Sequence, residues 1–288
     1  MSEIIWSKLN QWGGITLLAG VGMTAAFVPL ACLPTLRGQN VIVFLSHFLL
    51  AGAAYIIAVS RLGRDRLPMR VLWAFAILFR LIFLTTSPTL SDDVYRYIWD
   101  GHLLGERVNP YALEVNSPAL DAYSIPQRAQ VNHNWMASPY LPVAQLFFGS
   151  VTRIAPQSVL AFQIASVVLD LFTGWLLVRI LKQVALPRIH ALIYLWNPLV
   201  VVEFSHGAHV DALMLFFITL ALYFIVCVPD GPSRQWWLYT SAIALAAATL
   251  TKGLPLIVAP FFLRRWGWRR LIVYVTILVG VLASCAVG

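Results

Sequence analysis

Long apolar stretches separated by short polar connections run along most of the chain. Four of them have the length that a helix needs to cross a lipid bilayer, and they lie at residues 13–36, 41–60, 69–86 and 157–181. Further apolar stretches lie at 189–205, 210–228, 236–251 and 270–288, with a shorter one at 254–263. This pattern predicts an all-α polytopic membrane protein with a bundle of about nine transmembrane helices.

The positions of lysine and arginine predict which way the chain is threaded. They collect in three clusters: Arg61, Arg64, Arg66 and Arg70; Arg179, Lys182 and Arg188; and Arg264, Arg265, Arg269 and Arg270. Basic residues next to membrane spans favour the cytoplasmic side. The N-terminus is therefore expected in the cytoplasm, and the long hydrophilic segment 87–156 is expected on the extracytoplasmic side.

A short apolar run at 139–155 is predicted not to span. It starts with Pro139 and Pro142 and includes Arg153 near its end. If it crossed, the cluster around Arg179 would face outward, against the charge rule. The run is therefore predicted to be an amphipathic or re-entrant helix at the outer membrane interface.

Composition narrows the class further. Hydrophobic residues make up 60% of the chain, charged residues 11%, and the mean hydropathy is +0.78, which excludes a water-soluble globular fold. The net charge of +8 lies in short clusters between apolar runs, so nucleic acid is not an expected partner.

Acidic residues mark the extracytoplasmic side as the functional one. Of the twelve in the chain, eight are predicted to lie there: Asp92, Asp93, Asp100, Glu106, Glu114, Asp121, Glu203 and Asp211. Glu203, His206, His209 and Asp211 crowd one turn between two spans, and Lys252 ends another span on the same side, where the charge rule would not place it. Functional residues are the usual reason for such exceptions.

Residues 91–101 form a candidate catalytic helix. Ser91 is predicted to be its N-cap, with Asp92 and Asp93 in the first turn. Two interpretations fit this pattern. The carboxylates could act on a substrate, or they could simply complement the helix dipole while Arg96 and Asp100 form an ordinary pair one turn apart.

His206 and His209 could suggest zinc, but two imidazoles and one carboxylate leave the ligand set incomplete. A polar lid over the substrate is the preferred interpretation, and no metal site is predicted.

The motifs of the external loop resemble those of GT-C membrane glycosyltransferases. They are Ser91–Asp93, Tyr95–Tyr97, Asp100–Gly101, Asn109–Tyr111, Ser138–Pro142, Trp196–Pro198, Glu203–Asp211 and Leu250–Gly253. The likeness covers roughly residues 85–265. It is closest to polyprenyl-phosphate-mannose-dependent mannosyltransferases of bacteria and more distant to the GPI mannosyltransferase.

This resemblance implies an inverting transfer of a hexose, mannose in this case, from a polyprenyl-phosphate sugar outside the cytoplasm. An acidic residue of the first external loop would be the base, which matches Asp92 or Asp93. Arg96, Arg153 and Lys252 are candidates for the leaving phosphate, with His206 and His209 as donors. The complete predicted substrate-binding set is Arg96, Tyr97, Asp100, Arg153, Glu203, His206, His209, Asp211 and Lys252.

No cofactor and no obligatory metal are predicted, because the two carboxylates are adjacent here, whereas the family often separates them by one residue. The expected partners are a lipid-linked sugar donor, membrane lipid, and a glycan, lipid or protein acceptor. Two N-terminal transmembrane helices at 1–68 precede a GT-C-like module at 69–288, which carries the loop 87–156. The chain stops inside an apolar run at Gly288, so further spans are expected.

The main alternative is a lipid or sugar transporter or flippase. Such proteins place paired charges near the bilayer midplane and often carry internal repeats, and no repeat is found here.

The predicted threading can be tested by cysteine labelling in intact cells. The variant Asn116→Cys should react with an impermeant thiol reagent added outside, because residue 116 lies in the external loop. The variant Gly267→Cys should not react, because it lies in a basic cytoplasmic cluster. The opposite pattern would overturn both the topology and the external site.

Overall fold

The computed structural model describes residues 13–287, with side chains through residue 283. Residues 1–12 of the predicted N-terminal helix pair and the terminal Gly288 lie outside the described residues. Across 13–287 the chain is helical and contains no strand. The α-helices are α1 Gly14–Ala31, α2 Val41–Ser60, α3 Met69–Leu84, α4 Asp93–Gly105, α5 Pro142–Ile154, α6 Val159–Gln183, α7 Leu192–Leu195, α8 Pro198–Val201, α9 Asp211–Val226, α10 Arg234–Thr249, α11 Ala259–Trp266 and α12 Trp268–Val287.

Three helical segments in the described part are long and apolar enough to cross a membrane: Gly14–Ala31, Gly38–Ser60 and Val159–Gln183. Helix α9 is apolar but shorter. On α2, Ile42, Leu49 and Ile56 are exposed, as expected of a helix that faces lipid. The all-helical, membrane-spanning class is thus confirmed, while the count of about nine spans stays a prediction.

The apolar stretch 189–205 does not form one uninterrupted helix. It consists of a 3-10 turn at Arg188–Ala191, the short helices α7 and α8, and a π-helical turn at Val202–His206. The break lies at Asn197, whose side chain accepts the Leu199 amide at 2.9 Å and caps α8. Pro198 follows at the first position of α8, where its missing N–H costs nothing.

Gly267, between α11 and α12, has a φ of 70°. A side chain is strained in this left-handed region. A cysteine at position 267 would therefore disturb the turn, and the exposed Arg265 in the same basic cluster is the better position for cytoplasmic labelling.

The chain folds as two compact units. The first contains the described residues up to Leu90 together with Leu177–Gly207. In this unit α1 packs against α2 and α3, and the buried Trp196 ring lies 5.2 Å from Phe75 and donates its Nε1–H to the Leu72 carbonyl at 3.0 Å. The units follow contacts rather than chain order, and the division into 1–68 and 69–288 stays a prediction.

The second unit contains Ser91–Leu176 and the chain from Ala208 onward. Helix α4 packs against α5, with Tyr97 stacked on Phe148 at a ring distance of 4.4 Å and an angle of 12°. Helices α9, α10 and α12 pack in sequence. The short helix expected near 139–155 is confirmed as α5, whereas its position at the membrane surface stays a prediction.

Helices α4 and α5 approach each other most closely at Gly101. A Cβ added there would lie 2.6 Å from the carbonyl oxygen of Phe148 and would also collide with the Thr152 hydroxyl. Only glycine lets the two helices meet at this distance, because the obstacle includes backbone, which cannot rotate away.

Gly101→Ala is therefore expected to destabilise the protein by about 1–3 kcal/mol, the usual cost of overpacking a well-packed interior. Thermal unfolding of the purified protein in detergent measures the change. Gly105→Ala is the matched control, since it lies on the same helix with nothing within 4 Å of the added Cβ. Equal stability of the two variants would show that the close approach is unimportant.

Candidate active site

The candidate catalytic helix begins one residue later than its sequence suggests. Helix α4 starts at Asp93, so Asp92 occupies the N-cap position in place of Ser91. The Ser91 hydroxyl still accepts the Asp93 amide at 3.2 Å. Serine thus satisfies one open amide of the first turn, which leaves the Asp93 side chain available for other partners.

The Asp93 carboxylate is held from one side and open on the other. Its Oδ1 accepts the side-chain amide of Asn132 at 2.9 Å. Its Oδ2 faces Nδ1 of His209 at 3.8 Å, and the Asp93 and His209 side chains are 30% and 21% exposed. This carboxylate is fixed in direction and can still be reached by a ligand.

Tyr97 brings His209 to Asp93. It lies one turn after Asp93 on α4 and is buried. Its hydroxyl accepts the Val210 amide at 3.4 Å, which attaches the turn before α9 to α4. Ala208 in this turn is fully buried and has a φ of 54°, a left-handed conformation in which the backbone reverses.

The rings of Tyr97 and Tyr140 lie edge to face, with their centroids 5.2 Å apart, close to the same carboxylate. Burial raises the pKa of Tyr97 well above its ordinary value, and Tyr140 and Asp93 add to the effect. Burial also raises the pKa of Tyr140, with Asp93 as the next cause. Both phenols therefore stay protonated at neutral pH, so they can serve as hydrogen-bond donors but not as bases.

Lys252 and Asp211 form an ion pair in the same unit. The Lys252 ammonium donates to both oxygens of Asp211, at 2.8 and 2.9 Å, and half of the lysine side chain is exposed. Asp211 is the first residue of α9, and Lys252 follows the end of α10. The Val143 amide donates to the Leu250 carbonyl at 3.0 Å, which ties the start of α5 to the same helix end.

Arg96 and Asp100 lie in the interior of the second unit. The two side chains are 3% and 1% exposed, and Arg96 Nε donates to Asp100 Oδ1 at 2.9 Å. The Ser138 hydroxyl donates to Asp100 Oδ2, and the Gln145 amide donates to the same oxygen at 2.9 Å. The network joins α4 to the segment that leads into α5, and substrate binding by this pair stays a prediction.

Burial raises the pKa of the Asp100 carboxyl, while Arg96, Ser138 and Gln145 oppose the shift. A guanidinium and two further donors surround this carboxylate, so its negative charge has partners on every side. The cluster therefore fixes α4 against α5 and the segment that precedes it.

The first unit holds the other two predicted residues of the turn. Glu203 and His206 lie in its π-helical turn, and His206 is buried. Its Nε2 accepts the Thr89 amide at 2.9 Å, and its Nδ1 lies 2.9 Å from the Thr86 hydroxyl. That hydroxyl donates to the Phe83 carbonyl, so the ring is assigned as a neutral imidazole protonated on Nδ1.

Arg153 is exposed in the last turn of α5. The substrate roles of Arg153, Glu203 and His206 stay predictions. Within the described residues no three His, Cys, Asp or Glu side chains are grouped so that they could hold a metal ion.

Asn132 is the site residue that sequence reasoning missed. It lies in a loop rich in polar residues, between Val131 and His133, and no spacing distinguishes it from its neighbours. The signal appears only when the loop folds back onto the start of α4.

A sequence model described as "Alpha-(1->6)-mannopyranosyltransferase, N-terminal domain" matches residues 14–268 of the chain. The chain belongs to this family. A curated relative is the alpha-(1->6)-mannopyranosyltransferase A of Corynebacterium glutamicum, which is 28% identical over 155 residues. That match covers 51% of this chain and 30% of the relative, so the chain matches less than a third of the relative's length. No solved structure matches the chain.

Family membership agrees with the expected GT-C-like mannosyltransferase, and the matched region includes every residue of the candidate site. Asp93, Asn132, Tyr97 and His209 are thus part of the family's N-terminal domain.

Asp100→Asn is expected to destabilise the protein by about 1–3 kcal/mol, because the amide NH2 puts a donor where the carboxylate had an acceptor and leaves a buried donor of Arg96, Ser138 or Gln145 without a partner. Unfolding in detergent measures the loss. Asp121→Asn is the control, since that carboxylate also binds an arginine but is 70% exposed, and it should cost less than about 1 kcal/mol.

The wild-type protein and Asp100→Asn should also differ in how their stability depends on pH. A raised pKa means that the folded state holds the Asp100 proton more tightly than the unfolded state does. Wild-type stability should therefore fall as pH rises from about 4 through the raised pKa, and the Asn variant should lack this component. An unchanged slope would contradict the assignment.

Proposed function

We propose that this chain carries the catalytic site of an inverting mannosyltransferase that uses a polyprenyl-phosphate donor at the extracytoplasmic face of the membrane. The family description and the relative's name support mannose as the sugar and a 1→6 linkage, so the acceptor is a glycan with a hydroxyl on carbon 6. The observation that carries the proposal is the Asp93 carboxylate, which is oriented by Asn132 and remains partly exposed.

Asp93 is proposed as the general base. The acceptor oxygen attacks the anomeric carbon as the bond from that carbon to the phosphate oxygen breaks. The hydroxyl proton passes to the carboxylate, and the lipid phosphate leaves with the electron pair. Because this displacement inverts the anomeric carbon, an α-linked product requires a β-linked donor.

His209 is proposed to take the proton from Asp93 after transfer. Its Nδ1 lies 3.8 Å from the carboxylate, and a small movement would bring the two atoms into hydrogen-bond range. Removal of the proton returns Asp93 to its ionised form for the next acceptor.

Lys252 is proposed to stabilise the charge that develops on the leaving phosphate. Its side chain is half exposed, and the ion pair with Asp211 fixes the direction of its ammonium. A lysine that is already oriented loses little further freedom when a phosphate binds. No obligatory metal is proposed, since the lysine supplies positive charge.

Asp93→Asn should lower the rate of mannose transfer by about a hundredfold to ten-thousandfold, the range for loss of a general base. Transfer of labelled mannose from polyprenyl-phosphate mannose, by full-length protein in proteoliposomes, measures the effect. Binding of the donor should change little, because the amide keeps the shape of the side chain.

Asp92→Asn is the matched control, since it removes the same charge from the neighbouring position and should reduce the rate much less. A larger loss in Asp92→Asn would move the base to Asp92. Near-normal transfer by the double Asn variant would refute carboxylate catalysis at this helix.

A further inference from the structure

A cavity of about 470 Å³ lies in the second unit, where α10 begins and α11 gives way to α12. Its lining consists of Gln235, Tyr239, Gly267, Trp268, Arg269 and Arg270. None of these residues belongs to the candidate active site. The lining combines two guanidinium groups with two aromatic rings and one amide.

Arg270 is held in place but not fully satisfied. One terminal nitrogen donates to the Trp266 carbonyl at 2.8 Å, and the guanidinium lies 5.1 Å from the centre of the Tyr239 ring. Its Nε is buried and has no hydrogen-bond partner in the part of the chain that the structure describes. A buried donor without an acceptor is costly, so this guanidinium keeps unused hydrogen-bonding capacity beside the cavity.

The surroundings of the cavity are strongly positive. The sequence contains no acidic residue after Asp230, whereas Arg234, Arg264, Arg265, Arg269 and Arg270 all follow it. Asp230 itself lies 3.8 Å from Arg234. Helices α10 and α12 both begin here, and their N-terminal amides add partial positive charge. The cavity is therefore suited to an anion.

The helices around the cavity carry the marks of a membrane interface. Trp236 and Trp268, near the starts of α10 and α12, are 75% and 68% exposed. Beyond Trp268, α12 exposes Ile272, Val275 and Val279 along one face. Exposed tryptophans at the ends of apolar helices lie at the level of lipid headgroups, and an apolar face beside them contacts acyl chains.

We propose that this cavity binds the phosphate of an anionic phospholipid, with Arg269 and Arg270 on the phosphate and the acyl chains along α12. Free inorganic phosphate offers the same anionic oxygens, but it would leave the adjoining apolar face without a role. Basic pockets between membrane helices are a known arrangement for anionic headgroups. The site would anchor this end of α10 and α12 in one leaflet, separately from sugar transfer.

Native mass spectrometry of the detergent-solubilised full chain can measure this binding. Dioleoylphosphatidylglycerol is the probe, and dioleoylphosphatidylcholine, which has the same chains and no net charge, is the comparison. Wild-type protein should retain the anionic lipid preferentially. The double variant Arg269→Gln with Arg270→Gln should raise its Kd about thirtyfold, on the scale of basic residues near a membrane surface.

Arg264→Gln with Arg265→Gln is the matched control, because it removes the same charge from the same cluster outside the cavity. This control should change the Kd by less than about threefold. Equal weakening in both double variants would mean diffuse attraction and would overturn the site.

Two further measurements cover a double variant that does not fold and a site that binds free phosphate. If the first double variant does not fold, Arg269→Gln alone should weaken binding roughly fivefold, since that guanidinium stacks on the exposed Trp268 ring. An unchanged Kd in this folded variant would reject the proposal. Complete displacement of the lipid by millimolar inorganic phosphate would reject the lipid and identify a simple phosphate site.

Discussion

The close crossing of α4 and α5 is the contact on which the rest of the second unit depends. At Gly101 the backbones meet with no room for a side chain, and next to it Asp100 binds Ser138 and Gln145 across the same interface. Glycine permits the approach, and the buried carboxylate gives it a fixed register. Apolar packing alone would allow the two helices to slide, whereas the hydrogen bonds of Ser138 and Gln145 to Asp100 form in one register only.

The proposed catalytic features follow from that crossing. Asp93 and Tyr97 lie in the first two turns of α4, the helix that Asp100 holds in place. Tyr97, packed against Phe148 of α5, in turn holds the chain that carries His209. The polar residues of α4 thus differ in role according to how deeply each is buried. Those that are fully buried set the position of the helix, whereas Asp93, the proposed base, is partly exposed.

Much of this arrangement could be predicted from the sequence, for identifiable reasons. The apolar runs predicted the long helices, because an 18- to 25-residue helix with few charges has few other environments. The pair Asp92 and Asp93 stood out as charge at the end of a span. The sequence could not separate their roles, nor find Asn132, because its contact joins residues 39 positions apart. It also could not show that Arg96 and Asp100 are buried, since residue type does not report burial, and their assignment to the substrate stays a prediction.

The attachment of the His209 turn to α4 has a consequence for how this site tolerates change. The donor to Tyr97 is the backbone N–H of Val210, which every amino acid except proline carries. Evolution can therefore alter the side chain at position 210 for packing without releasing the histidine. The acceptor has no such latitude, because it is the side-chain hydroxyl of Tyr97. The donor in this contact is thus a backbone group that does not depend on the side chain, whereas the acceptor depends on the tyrosine itself.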